Sequence, residues 1–232
     1  MKHFFFKKFI FPFMILTSQV AFQACAPSYT PAYLVVPQAY MPYPAENQTA
    51  AGISGTVALA RSDSTQALFS SSRVMFSNTV NKRWFRLGLA LQFYGGGTQI
   101  DNVPHYNGHK NFWGAALLGE GYLTLPLGPL KLGVGMTPSL YFESGSYAKF
   151  LEDASADGAI VFLKNEKPLL FTSSALAELT LDVTHRLEFH YGIGLPGFMN
   201  TGVALSTQKG FYWLDPWRLV NGMVAGGVAI RF

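Results

Sequence analysis

Large apolar side chains alternate with small or polar ones over several stretches of this chain. Over residues 85–93 the odd-numbered positions hold Phe or Leu, and the even-numbered positions hold Arg, Gly, Ala and Gln. Successive side chains of a β-strand point to opposite faces, so this pattern predicts a strand with one apolar and one small or polar face. The alternation recurs over residues 130–142, 169–181 and 187–195, which predicts an all-β chain.

The connections between the predicted strands differ in length. Residues 126–129 and 183–185 form tight turns, whereas residues 95–111, 143–167 and 196–217 form long loops. Weaker alternation predicts two further strands near residues 53–61 and 67–77, and the chain ends on a strand over residues 218–232. This division gives about eight strands, with both ends of the array on the side of the short turns.

The faces of these strands suit a membrane barrel. No charge falls on an apolar face, and the opposite face is mostly Gly, Ala, Ser and Thr with isolated charges, as in the crowded inside of a small barrel. The last strand places Val228, Ile230 and Phe232 on one face and ends in an aromatic residue. This ending resembles the signal by which the assembly machinery recognises bacterial outer-membrane barrels for insertion, and it makes Phe232 the candidate insertion signal.

Over residues 52–232 the pattern is similar to the small OmpA-like and OmpX-like outer-membrane barrels. The resemblance implies a transmembrane, antiparallel, up-and-down β-barrel of about eight strands in a Gram-negative outer membrane. It also implies short periplasmic turns, long external loops and contact with outer-membrane lipids. Aromatic residues near the strand ends are expected to form girdles at the bilayer interface: Trp84, Phe85, Phe93, Tyr94, Phe112, Trp113, Tyr141 and Phe142.

Composition agrees with this prediction and excludes other classes. Half of the residues are apolar (49%) and few are charged (13%), yet after the first 25 or so residues no uncharged apolar run is long enough for a spanning helix. The net charge of +4 includes Lys2, Lys7 and Lys8 at the N-terminus, and the other basic residues are scattered. We therefore expect no nucleic-acid partner.

The N-terminus carries an export signal. Its lysines precede an apolar stretch over residues 9–22 and small residues at 24–26, which predicts a signal peptide over residues 1–24. Residues 22–25 resemble a bacterial lipobox, and this resemblance implies a lipoprotein with its lipid on Cys25, the only cysteine. The alternative is ordinary cleavage after Ala26, which would place Pro27 directly after the cut.

Residues 25–51 have a different composition from the rest of the chain. Prolines at 27, 31, 37, 42 and 44 forbid a regular helix or central strand. We interpret the segment as a Pro/Tyr-rich periplasmic tether, a disordered spacer whose tyrosines could dock on an envelope protein. The predicted organisation is a signal peptide (1–24), this tether (25–51) and a barrel (52–232).

Isolated charges on the inward faces are the first candidate functional residues. A buried charge persists only when it is paired or hydrated, so we expect a polar network that plugs a narrow lumen, with a narrow pore for small solutes as the alternative. The predicted members are Arg86, Glu120, Lys131, Glu178, Arg186, Glu188 and His190.

Catalysis is not expected. A lipid-modifying enzyme needs a nucleophile beside a base, and no serine neighbours His190 and Glu188. His105 and His109 could share a metal only on a helix, but Pro104 and the residues around it favour a turn, so neither a metal nor another cofactor is predicted.

The last long loop holds an aromatic cluster. Exposed aromatic side chains mark contact surfaces, so the candidate contact residues are Phe211, Tyr212, Trp213 and Trp217. The alternative is that strands continue here and pack these side chains on one another. The sequence thus predicts a non-enzymatic membrane scaffold or surface-binding protein.

Overall fold

The computed structural model describes residues 28–35, 41–61, 67–101, 103, 105–161, 169–181, 185–194, 199–207, 210–214 and 224–232. The described elements, in chain order, are β1 (Ser28–Tyr29), α1 (Ala32–Val35), β2 (Gln48–Arg61), β3 (Leu68–Asn81), β4 (Phe85–Ile100), β5 (Gly108–Leu127), β6 (Leu130–Ser144), α2 (Ser146–Ala156), β7 (Ile160–Val161), β8 (Leu169–Thr180), β9 (Arg186–Gly194), β10 (Met199–Ser206), β11 (Gly210–Leu214) and β12 (Val224–Arg231). No helix among these residues is long and apolar enough to cross a membrane.

The long strands close into an antiparallel barrel. In the described part of the chain it contains ten strands, β2 to β6 and β8 to β12, and pairing of β12 with β2 closes the ring. Ile230 pairs with Ile53 at this closure. Every barrel strand pairs with the barrel strands before and after it in sequence, so the barrel has the predicted up-and-down order.

The prediction of about eight strands is wrong, because the described barrel contains one hairpin, or two strands, more. β10 and β11 both lie within residues 196–217, which were expected to form a loop. β10 contains small residues that give weak alternation, and β11 has only five residues, with aromatic side chains on both of its faces. Neither strand therefore shows the apolar face by which the others could be recognised.

The two ends of the barrel differ. One end, here called the turn end, holds the start of β2, the end of β12 and the short connections that follow β3, β5, β8 and β10. The other, the loop end, holds the remaining connections, of which the one between β6 and β8 is the longest and contains α2 and β7.

The outer face of the barrel is apolar, and its inner face is small or polar. On β4 the side chains of Leu87, Leu89 and Leu91 are exposed, whereas those of Arg86 and Gln92, on the opposite face, are buried. Among the described strand residues with a known exposure, no Asp, Glu, Lys or Arg side chain lies on the outer face. This inversion of the usual arrangement in a soluble protein is what a lipid-facing barrel requires.

Aromatic side chains border the outer apolar face at two levels. Trp84 and Phe85 are exposed at the turn end, and Trp113 packs against Phe142 near the loop end. Trp113 pairs with Gly95, which is about 33 Å along β4 from Phe85 at ~3.3 Å per residue. A strand tilt of ~40° converts this length to about 25 Å along the barrel axis, the height of the apolar band of outer-membrane barrels.

Three of the expected girdle residues lie elsewhere. Tyr94, Phe112 and Tyr141 are buried on the inner face, because their positions along the strands are one residue out of step with those of Phe93, Trp113 and Phe142. Runs of two aromatic residues place one ring outside and one inside. The aromatic rings inside the barrel contact the segment described next.

Candidate functional site

The lumen of the barrel is occupied by the chain's own N-terminal part. We call residues 28–35 and 41–46 the lumen segment. Residues 29 and 31–35 and residues 41–44 of this segment are buried, and the side chains of Tyr33 and Tyr43 are at most 1% exposed. A disordered spacer was expected over residues 25–51. Of this range, residues 31–35 and 41–44 are buried in the lumen, residues 45–47 are exposed, and residues 48–51 belong to β2.

At the loop end the lumen segment packs beneath α2. The ring of Tyr29 meets the ring of Phe150 edge-on at 5.0 Å, and the hydroxyl of Tyr147 donates a hydrogen bond of 2.8 Å to the carbonyl of Thr30. The same α2 ring, Tyr147, packs edge-on against Phe69 of the barrel wall at 5.1 Å. Helix α2 therefore connects the segment to the wall.

Glycine is required where α2 starts. Gly145 has φ +110, and a Cβ there would lie 2.5 Å from the carbonyl oxygen of Asn111. The chain can thus turn from β6 into α2 only with a residue that lacks a side chain. This sharp turn directs α2 across the loop end.

Deeper in the lumen, wall charges bind the backbone of the segment. The Glu143 carboxylate accepts the backbone N–H groups of Ala32 at 3.0 Å and Tyr33 at 2.8 Å. Arg73 donates to the Tyr33 carbonyl at 3.3 Å, and its guanidinium lies over the rings of Tyr33 and Tyr94 at 5.5 and 5.3 Å. The Tyr33 ring also stacks on Tyr141 at 4.5 Å. The wall therefore binds both the backbone groups of the lumen segment and the ring of Tyr33.

Near the turn end, arginine side chains bind the carbonyl groups of the segment. Arg186 donates to the carbonyls of Tyr43 at 2.8 Å and Pro44 at 2.7 Å. Arg231 donates to the Tyr43 carbonyl at 2.7 Å, and Asn81 donates to the Pro44 carbonyl at 2.8 Å. Hydrogen bonds to charged donors are stronger than neutral ones, so this end is firmly held.

The proline content that suggested disorder suits an enclosed segment. A proline has no backbone N–H, so Pro42 and Pro44 bring no donor into the lumen that would need a partner. Their carbonyls still need donors, and the wall supplies them from Thr79, at 3.0 Å from the Pro42 carbonyl, and from Asn81. An extended proline-rich chain can therefore lie in a barrel without being part of its sheet.

Six of the seven charged or titratable residues expected inside are described there, and the side chain of His190 lies outside the described part. Arg86 forms ion pairs with Glu178 and Glu188, and Arg186 lies 4.0 Å from Glu178. Glu120 lies beside Tyr43 and Tyr122. The ring of Tyr43 in turn lies 5.2 Å from the Arg86 guanidinium.

Lys131 completes the set by pairing with the lumen segment directly. Its ammonium group lies 3.0 Å from the carboxylate of Glu46. The inward charges thus do more than pair with one another across the lumen. Together with Tyr43, Pro44 and Glu46 they form a single network that contains both wall and segment.

Several residues of this network were not expected from the sequence. Arg73 and Arg231 lie on inner faces of β3 and β12, where the alternation of small and apolar residues would have placed them. Glu143 was assigned to the start of a loop, although it is the last inward residue of β6. Only the burial of the lumen segment explains why these charges are needed.

The aromatic residues expected in a loop lie on strand β11. Phe211 and Trp213 are buried on the inner face, whereas Tyr212 is exposed on the outer face. This corresponds to the alternative in which strands continue and pack these side chains. Trp217 and Cys25 lie outside the described residues. Phe232 is exposed at the turn end, where its N–H donates to the Ala51 carbonyl at 3.1 Å.

Among the described residues at the outermost part of the loop end, two titratable side chains are in contact. The hydroxyl of Tyr106 donates to Asp157 at 2.5 Å, and this hydrogen bond raises the pKa of Tyr106 to about 12. His105 lies in a turn with φ +69 and His109 lies on β5. Within the described part of the chain, no three His, Cys, Asp or Glu side chains come together as possible metal ligands.

Comparisons with known proteins do not assign this chain to a family. No protein-family model and no curated protein matches the chain. Among solved structures, the chain is similar to the crystal structure of Neisserial surface protein A (NspA), with 14% identity over 79% of this chain and 97% of that one, at a TM-score of 0.34. This score is too low to carry an argument, so the class of the protein, a closed antiparallel β-barrel, is defined by its own strands.

Proposed function

We propose that this chain is a bacterial outer-membrane β-barrel whose lumen is closed by its own N-terminal segment, and that it acts as a non-enzymatic membrane-anchored scaffold or surface-binding protein. The turn end faces the periplasm in this proposal, and the loop end faces the outside. Cys25 supplies a second, lipid attachment. Phe232 serves as the insertion signal for the assembly machinery.

The observation that carries the proposal is a barrel whose outer face is apolar and whose lumen is occupied by the chain's own lumen segment. The outer face offers lipid a band of exposed Leu, Val and Phe side chains with aromatic levels at both ends. The inside offers a solute no continuous path along the described lumen segment, because Tyr33 and Tyr43 are packed against charged and aromatic wall residues. A barrel that is built closed suits anchoring and display better than transport.

Conductance distinguishes this proposal from a narrow pore. The full chain, extracted from outer membranes in mild detergent, is reconstituted into planar bilayers and recorded beside a known porin at the same protein-to-lipid ratio. We expect no resolved single-channel steps from this chain. Well-resolved steps at neutral pH would contradict the closed barrel and favour the alternative of a pore for small solutes.

Two further measurements address the scaffold and non-enzymatic roles. A pull-down of the detergent-solubilised full chain is expected to recover an envelope or external binding protein whose recovery is lost when the loop between β6 and β8 is replaced. Mass spectra of lipid A from deletion and overexpression strains are expected to be identical. A gained or lost acyl chain would favour a lipid-modifying enzyme.

A further inference from the structure

The lumen segment has a direction. Its first described residues, Ser28 and Tyr29, lie at the loop end, and its last ones, Tyr43 to Glu46, lie at the turn end, where β2 begins. The described residues of the segment thus progress from the loop end to the turn end before the chain enters the wall. A tether that entered the barrel from the periplasmic side would run in the opposite direction, with its first residues at the turn end.

Three independent contacts hold the first residues of the segment at the loop end. β1 pairs in parallel with β7, which places Ser28 opposite Ile160 and Tyr29 opposite Val161. The remaining two are the ring contact of Tyr29 with Phe150 and the hydrogen bond from Tyr147 to the Thr30 carbonyl. All the partners belong to the long connection between β6 and β8. These contacts therefore fix this end of the segment to that connection and not to the strands of the barrel wall.

From this direction we infer that the first described residues of the segment, Ser28 and Tyr29, lie on the external side of the outer membrane, and that an epitope placed directly before Ser28 is displayed there. The inference rests on the proposed function, which decides which end of the barrel faces outward. It is an alternative to the periplasmic tether that composition predicts for residues 25–51.

The reach of the chain decides where a lipid on Cys25 would go. Ser28 is three positions after Cys25, and an extended chain spans at most ~3.6 Å per position, or about 11 Å in all. The apolar band is about 25 Å high, so such a chain cannot return to the bilayer interface at the turn end. If Cys25 carries a diacylglyceryl group, this reach would keep the lipid on the side of the loop end.

The display is tested with one epitope placed at three positions of the full chain in separate variants. The test position is between Pro27 and Ser28. The loop-end control is directly after the exposed Gly158, and the turn-end control is between Gly128 and Pro129, which are both exposed. Antibody staining of cells of a Gram-negative host is measured before and after permeabilisation of the outer membrane.

We expect the test epitope to stain intact cells within about two-fold of the loop-end control, while the turn-end control stains only after permeabilisation. Staining of the test epitope only after permeabilisation, beside a loop-end control that stains intact cells, would overturn the inference and leave the proposed function standing. If the turn-end control stains intact cells and the loop-end control does not, the proposed orientation fails, and external display fails with it.

An engineered disulfide tests the threading without reference to the membrane. Partners on neighbouring strands lie ~4.8 Å apart, within the Cα separation that a disulfide accepts, so Tyr29→Cys with Val161→Cys should form a bond. The readout is a shift of the full chain on non-reducing gels that dithiothreitol removes. Tyr29→Cys alone controls for Cys25, and Tyr29→Cys with Gly128→Cys should give no shift. A shift in the second control but not in the test pair would overturn the direction of the segment.

Discussion

The Glu143 carboxylate accepts the backbone N–H of Tyr33 at 2.8 Å, although the two residues are 110 positions apart in sequence. Glu143 lies on the wall strand β6, and Tyr33 lies in the helical turn α1 of the lumen segment. Arg73 binds the carbonyl of the same Tyr33 at 3.3 Å. One tyrosine is thus held through both its N–H and its C=O by opposite charges of the barrel wall, which makes this position the centre of the closure.

The substitution Glu143→Gln should weaken the closure. A glutamine keeps the shape, but its amide can accept through only one oxygen, so one of the two backbone N–H groups loses its partner and Arg73 loses a nearby negative charge. A buried donor left without a partner costs about 1–3 kcal/mol. We expect the urea midpoint of the folded, heat-modifiable gel band to fall accordingly.

The matched control for this variant is Glu152→Gln, because Glu152 lies on the exposed side of α2. The control should keep the midpoint of the unchanged chain. Equal midpoints for Glu143→Gln and Glu152→Gln would show that the carboxylate does not hold the segment.

Gly88 provides a way to disturb the segment from the wall. A Cβ at Gly88 would lie 2.5 Å from the sulfur of Met41 and 3.1 Å from the hydroxyl oxygen of Tyr43. Gly88→Val should therefore displace the lumen segment, and the variant should show conductance steps or faster proteolysis within residues 41–46. Gly55→Val is the control, because a Cβ at Gly55 meets nothing within 4 Å. If both variants stay closed and resistant, the wall and the segment are less tightly fitted than these distances imply.

The strands of the barrel wall could be predicted because their signal is local. Alternation over residues 85–93 depends only on which side of one strand faces apolar surroundings, and the structure places Leu87, Leu89 and Leu91 outside as expected. β10 and β11 lacked this signal, since small residues fill the one and aromatic residues occupy both faces of the other. The strand count was therefore two short.

The closure of the lumen could not be predicted in the same way. The hydrogen bonds described for Tyr33 and Tyr43 join residues far apart in sequence, such as Arg186 and Tyr43, which are separated by 143 positions. Prolines within residues 25–51 exclude a helix or a central strand but do not distinguish a free chain from one enclosed by donors. The inward charges were visible in the sequence, and the backbone carbonyls that they bind were not.

Phe211 should behave as part of the barrel and not as a contact residue. Its side chain is fully buried on the inner face of β11, so Phe211→Ala should lower the free energy of unfolding by about 3 kcal/mol. Tyr212→Ala, next along the strand and exposed on the outer face, should change it much less. The measurement is the temperature at which the folded gel band disappears. The opposite order, with Tyr212→Ala the more destabilising, would show that Tyr212 and not Phe211 faces the inside of the barrel.

Insertion itself should depend on how deep a charge lies on the outer face. Leu89 is exposed near the middle of the apolar band, which runs along β4 from Phe85 to Gly95, and an arginine at the centre of a bilayer destabilises a membrane barrel by about 2–4 kcal/mol. Leu127 is also exposed, but it lies at the turn end of β5, where the cost falls to about 0–1 kcal/mol. Leu89→Arg should therefore fold in phospholipid vesicles far less completely than Leu127→Arg, with the heat-modifiable fraction as the readout. Equal folding of the two variants would mean that the apolar outer face does not contact lipid, and the membrane assignment would then fail with it.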